Sequence, residues 1–141
     1  MASANKIAVL AALVLLLQAS SCAVARRPFG NGDGDTLAVM TVNGFQKGEE
    51  GGPSECDGNY HSDKLPLAAL STGWYAKGAR CFKKIRITSV QTGRSVEAIV
   101  VDECDSRHGC KDNIVDTSKA IWEELGLDTN IGEVPVTWSD A

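Results

Sequence analysis

"RCFKKIRITSVQTGRSVEAIVVDEC" (residues 80–104) decides the fold class. Phe82, Ile85, Ile87 and, less regularly, Val90 fall on one side of an alternating pattern, while Lys83, Lys84, Arg86 and Thr88 fall mostly on the other. Successive side chains of a strand point to opposite faces, so this spacing predicts a half-buried strand over 80–90. Gln91-Thr92-Gly93-Arg94 is a tight turn, and 95–104 runs back as a second strand, which makes the stretch a β-hairpin.

The flanking segments extend the same architecture. "TLAVMTVNGF" (36–45) is β-branched and ends in Asn-Gly, as a strand running into a turn does. Residues 46–66 form a polar, glycine-rich loop, and "LAALSTGWY" (67–75) reads as a short strand kinked at Gly73. On the other side, "NIVDTSKAIWEELG" (113–126) predicts a helix of about nine residues with Asp116 as its N-cap, Ala120, Ile121 and Leu125 on one face, and Gly126 as its stop. A last strand spans 132–138, with Pro135 at an edge or bulge. Five or six short strands, one short helix and no alternation of strands with helices imply an all-β fold. A small closed barrel protects edges that such strands would otherwise expose.

The N-terminus sets the compartment. Lys6 precedes an apolar run from Ile7 to Leu17, followed by small residues ending in Ala23-Val24-Ala25. This is the pattern of a secretory signal peptide over 1–25, and eleven apolar residues are too few to span a membrane. A glycine-rich leader follows at 26–35, then one domain at 36–141. Of 14 basic residues only Lys6 leaves with the signal, so 13 remain against 18 acidic ones. That balance argues against nucleic acid, which requires clustered cations. Cys22 also leaves, and Cys56, Cys81, Cys104 and Cys110 remain. Four cysteines in a small secreted domain imply two disulfides, with three possible connectivities.

Little catalytic or metal chemistry is complete. Cys104 and Cys110 are six apart and only His61 and His108 are at hand, which does not match zinc spacing, and no cofactor motif occurs. Asn31, Asp33 and Asp35 mimic the start of a calcium loop, but Thr36 and Val42 stand where it needs Gly and Glu. No G-x-S-x-G is present, and oxidised cysteines offer no thiolate. Asp102 and Glu103 adjoin on a strand and so point to opposite faces. Asp102 with Asp116 could line one groove, as a glycosidase pair would. Capping explains Asp116 equally well, and acceptance of backbone N–H bonds explains Asp102. His61 is expected to be a solvated surface histidine. Trp122 and Trp138 are expected in the core or half-buried, whereas Trp74 and Tyr75 are the better candidates for an exposed sugar-stacking contact.

"SECDGNYHSDKLPLAALSTGWYAKGARC", "VVDECDS" and "NIVDTSKAIWEELG" resemble the kiwellin, or ripening-related, family of secreted plant proteins, over about residues 36–138. More distantly, the order from the Arg80-Cys81 strand to Val134-Pro135-Val136 is similar to barwin and the expansin N-terminal domain. The resemblance implies a six-stranded double-psi β-barrel with one short helix, stapled by Cys56–Cys104 and Cys81–Cys110. Two departures stand out. The leader lacks the cysteine-rich module of many kiwellins, and the segment "GCKDNIVD" (109–116) is contracted. Some relatives of the wider barrel are lytic and use an aspartate matching Asp116, but the expansin His-Phe-Asp arrangement is absent, since Ile114-Val115 precede it. The resemblance therefore implies an apoplastic, non-enzymatic, ripening- or defence-related protein that binds other secreted proteins, pathogen effector enzymes among them. The alternative is a cell-wall polysaccharide binder or weak lytic protein using Asp102, Asp116, Trp74, Tyr75 and His61.

Overall fold

The computed structural model describes residues 35–49 and 51–141. The signal sequence expected at 1–25 and nearly all of the expected leader lie outside them. Six strands are formed: β1 (Thr36–Val42), β2 (Leu67–Ser71), β3 (Lys84–Ser89), β4 (Ser95–Cys104), β5 (Ile114–Thr117) and β6 (Glu133–Asp140). They close in the order β1-β5-β2-β4-β3-β6. The pairs β1–β5 and β2–β4 are parallel, and the other four are antiparallel. The closed six-stranded barrel expected from the sequence is therefore present.

Alternation produces the interior. Ile85 and Ile87 on β3, Val96, Ala98 and Val100 on β4, and Val134, Val136 and Trp138 on β6 join one buried cluster with Met40, Leu70 and Val115. A short helix α2 (Lys119–Glu124) adds Ile121, Trp122 and Leu125 to that cluster. Gly126, with φ +71, ends it. The Leu127 N–H reaches Trp122 O and the Gly126 N–H reaches Glu123 O, so two otherwise orphaned carbonyls are satisfied.

β2 is buried at every position. Its inward residues meet the core, while Leu67 and Ala69 face a second cluster with Phe45 and Val101 on the outside of the barrel. The 43–66 loop covers that face, tied by Phe45 N–H to Asp63 Oδ1 (2.7 Å) and His61 N–H to Phe45 O (3.0 Å).

Several expectations are corrected. The strand predicted over 67–75 stops at Ser71 and gives way to a single helical turn, α1 (Thr72–Tyr75), which tucks Tyr75 into the core. β3 begins at Lys84, not at residue 80, and Phe82 and Val90 are exposed. Phe82 has a left-handed backbone that breaks the alternation before the strand starts. Asp116 does not cap the helix. Ile114, Val115 and Thr117 are β-branched and pair as a strand with both β1 and β2, which moves the helix start to Ser118 and shortens it to six residues. Pro135 is not on a free edge, because closure leaves none. Its carbonyl accepts from Val90 N–H just beyond the end of β3.

The disulfides differ from the pairing implied by the resemblance. Cys56 bonds to Cys81, and Cys104 to Cys110. The Cys56 N–H binds Val101 O, and the Phe82 N–H binds Val100 O, which sets Cys56 and Cys81 beside the same level of β4. Cys104 lies three residues further along that strand, about 10 Å at strand rise and beyond bridging reach. A tight turn at 105–110 instead returns Cys110 to Cys104, with Cys110 and His108 N–H groups both bonding Asp105 O.

Candidate functional site

Three strand pairings assemble one row of side chains on the outer face of the barrel. Thr41 of β1 pairs with Asp116 of β5, Asp116 with Ala69 of β2, and Ala69 with Asp102 of β4. The two aspartates expected to share a groove do share one, separated by a single alanine. At about 4.8 Å between neighbouring strands, their Cα atoms lie roughly 10 Å apart. The row depends on a bulge. Ala68 pairs with Val100 but Ala69 with Asp102, so Val101 is extra on β4 and Asp102 shares the face of Ala69.

The groove has a volume of about 290 Å³ and is walled by Asn43, Phe45 and the Gly51-Gly52-Pro53 loop, with Asp102, Glu103 and Asp116 as its charged lining. Asp116 accepts the Thr41 hydroxyl at 2.7 Å. Burial pushes its carboxyl up to about 6 against the pull of that hydrogen bond, and the negative charge of Asp102 raises it further. Thr41 is itself held in place, since its carbonyl accepts from Trp122 Nε1 and Thr117 Oγ1, each at 3.3 Å.

Asp102 is engaged differently. Its Oδ1 accepts the N–H of Glu55 at 2.9 Å and of Glu103 at 2.8 Å, so it fastens the 53–58 loop to β4. Burial still raises its pKa, because those two donors offset only part of the lost hydration and Glu55 and Glu103 add repulsion.

The remaining candidates do not join this row. Tyr75 is buried, with its hydroxyl 3.5 Å from Cys81 Sγ, and burial together with Glu55, Glu103 and Asp102 raises its pKa. Trp74 is half-buried and meets Trp138 edge-on, with ring centroids 5.2 Å apart. The expected aromatic platform is thus absorbed into packing, because α1 turns both rings toward the barrel end. Trp122 and Trp138 are in the core as expected. His61 is half-buried rather than solvated, with Nε2 3.0 Å from Asp57. Thr41 and Ala69 carry no signature that a sequence could show; only the strand order makes one the partner of Asp116 and the other the spacer.

A family profile described as Kiwellin-1 matches residues 22–141. The chain is 58% identical to putative ripening-related protein 6 of Oryza sativa subsp. japonica, covering all of both chains. It is 54% identical to kiwellin of Actinidia chinensis var. chinensis over 75% of this chain and 54% of that one. Among solved structures, a Clavibacter michiganensis expansin in complex with cellohexaose aligns with TM-score 0.62 at 23% identity, over 77% of this chain and half of that one. A Streptomyces papain inhibitor aligns with TM-score 0.59 at 20% identity, over 77% of this chain and 96% of that one. Those likenesses establish the fold as a double-psi β-barrel, and the sequence relationships establish that the chain belongs to the kiwellin family.

Proposed function

We propose that this protein is an extracellular, ripening- or defence-related binding protein without catalytic activity, which recognises other secreted proteins, pathogen enzymes among them, through its loops. The observation that carries the reading is the engagement of Asp102. Both N–H groups it accepts belong to backbone it holds in place, so the groove's second acid serves the loop and not a substrate. The fold does not choose the function, since one neighbour holds cellohexaose and another is named for inhibiting papain. Two disulfides pin the 53–58 and 105–110 turns, which keeps loop surfaces preorganised for a partner. The test is capture of a folded protein from apoplastic fluid or pathogen secretions by the mature, oxidised chain at micromolar concentration. A bait that retains nothing counts against the reading.

A second reading, a cell-wall polysaccharide binder or weak lytic protein, is favoured by one feature. Asp116 can carry a proton near pH 6, as a general acid must. Sedimentation with cell-wall polymers, comparing wild type with Asp116→Asn, tests it. Binding or release of soluble sugar that the substitution abolishes supports it, and identical behaviour of the two proteins removes it.

A further inference from the structure

Asn43-Gly44 follows β1, and that dipeptide ordinarily marks a tight turn built from left-handed backbone. No such turn is made here. Gly44 is not among the glycines of positive φ, Asn43 is not among the left-handed residues, and 43–45 run on without turn or helix. The glycine has a different cause. A Cβ at position 44 would fall 2.5–2.8 Å from Oε2, Cβ and Cδ of Glu49, so the Glu49 side chain lies where a larger residue's Cβ would be. The asparagine has no such account. Its backbone N–H extends the ladder to Thr117 O at 2.8 Å, but its side-chain amide makes no hydrogen bond among the described residues.

The backbone on either side is anchored while the link between is not. Asn43 N–H is bonded to Thr117 O and Phe45 N–H to Asp63 Oδ1, but the Gly44 N–H between them has no acceptor among the described residues. Asn43 and Gly44 are both half-buried, and both line the groove that holds Asp102, Glu103 and Asp116. An asparagine amide carbon is thus followed by a backbone nitrogen that carries no ladder or helix bond. No side chain on the next residue shields that nitrogen. These are the conditions under which an asparagine loses its amide to its own backbone, the reaction that makes this residue type thermolabile.

We propose that Asn43 is a self-modification site, at which the chain converts an amide into a carboxylate inside its own groove. The Gly44 nitrogen attacks Asn43 Cγ, and a new C–N bond closes a succinimide ring. The bond from Cγ to the side-chain nitrogen breaks, and that nitrogen leaves as ammonia, carrying the proton lost by Gly44. Water then opens the ring at one of its two carbonyls. One opening leaves aspartate at position 43, and the other leaves isoaspartate, whose main chain is one carbon longer. The sum is one water consumed and one ammonia released, with no oxidant, reductant or cofactor. Two consequences follow from the placement. A further negative charge in a groove whose charged lining is already acidic holds the Asp116 proton more tightly. The longer backbone of isoaspartate sits between the Thr117 anchor and Phe45, which is fastened to Asp63 and His61 and seats the outer cluster with Leu67, Ala69 and Val101. The site does not depend on which partner the protein binds.

The test is a time course on the mature, oxidised protein at pH 6 and pH 8, read by fragment-resolved peptide mass mapping and by enzymatic methylation of isoaspartate. Asn31-Gly32, outside the described residues, is the same dipeptide and sets the reference rate. Asn43 should convert within ten-fold of Asn31, and at least ten-fold faster than Asn59, Asn113 and Asn130, which precede Tyr60, Ile114 and Ile131. Slower conversion by either measure overturns the proposal. Attack by a backbone nitrogen speeds up as that nitrogen loses its proton, so the rate should be several-fold higher at pH 8 and isoaspartate should accumulate. Aspartate alone, or a faster reaction at pH 6, would mean direct hydrolysis without Gly44 and overturns the route. Asn43→Gln, which closes such a ring far more slowly, should lose the signal at position 43, and a signal that persists there overturns the assignment. The wild-type map decides the question even where that variant fails to fold. Carboxyl titration by NMR then follows the groove. In Asn43→Asp the Asp116 midpoint should move upward, and an unmoved midpoint breaks the link between the new charge and the groove.

Discussion

The carboxylate groove and the 76–84 corner both border β4, yet they are built on opposite principles. The groove is made by regular strands. Its charges come from register alone, and they are used internally, Asp102 on two backbone donors and Asp116 on Thr41. The corner is made by irregular backbone under strain, held by a disulfide and one arginine, and it leaves Phe82 exposed. Polar groups that fold a protein are satisfied inside it. Backbone strain persists only where the surroundings hold it, and here the Cys56–Cys81 bridge and Arg80 hold it.

The largest expected effect breaks the corner. Replacing Cys56 and Cys81 together by serine opens a link spanning 25 residues, against 6 for Cys104–Cys110. Loop-closure entropy puts the losses at about 3.5 and about 2.2 kcal/mol. Urea denaturation of the two double variants should rank them in that order, and the reverse ranking would show that the 105–110 turn matters more to the fold.

Next comes the groove's clamp. Asp102→Ala leaves the Glu55 and Glu103 N–H groups without their acceptor, at a cost of about 1–3 kcal/mol. Amide exchange at Glu55 should accelerate well beyond that of the Ile85 and Ile87 amides on β3. Equal acceleration at both places would mean that Asp102 supports the whole barrel and not the loop.

Asp116 is expected to act with the opposite sign. Its folded pKa, about 6, lies above the ordinary 3.8. The folded state therefore holds the proton more tightly, and this contribution to stability is complete below about pH 3.8 and lost as the pH rises through about 6. Asp116→Asn keeps an acceptor for Thr41 and removes the charge. It should raise stability at pH 7 by about 1–2 kcal/mol, with the gain vanishing near pH 4. Thermal melts across pH 4–7 check this, and parallel curves for the two proteins would refute it.

The smallest effect returns to the corner. Lys77→Gly relieves the left-handed backbone but adds freedom to the unfolded chain. A net gain of about 0.5 kcal/mol is expected, read as a small rise in Tm. A fall would show that the lysine side chain contributes to folding.

How much was legible in the chain depended on how local the cause was. The turn at 91–94 and β4 at 95–104 emerge as expected, because alternation and turn chemistry act between near neighbours. So does the helix stop at Gly126. An aspartate before a helical pattern looks like a cap, and only pairing with β1 and β2 reveals a strand at Asp116. Tyr75 looked like an exposed contact because the sequence does not say that α1 turns inward. Asp102 and Asp116 line one groove, but the spacer between them, Ala69, carries no signature in the sequence.

By itself, then, the sequence determined the hairpin, the all-β class, the even set of four cysteines after the expected signal, and the family. Each follows from local periodicity, composition or motif, which survive in a linear string. Tertiary structure decided which cysteines meet, that Asp102 fastens a loop, that Asp116 is buried enough to hold a proton near pH 6, and that Phe82 is strained and exposed. Those properties depend on which strands become neighbours when the barrel closes. Closure of a six-stranded sheet sets residues dozens of positions apart within one strand spacing of each other.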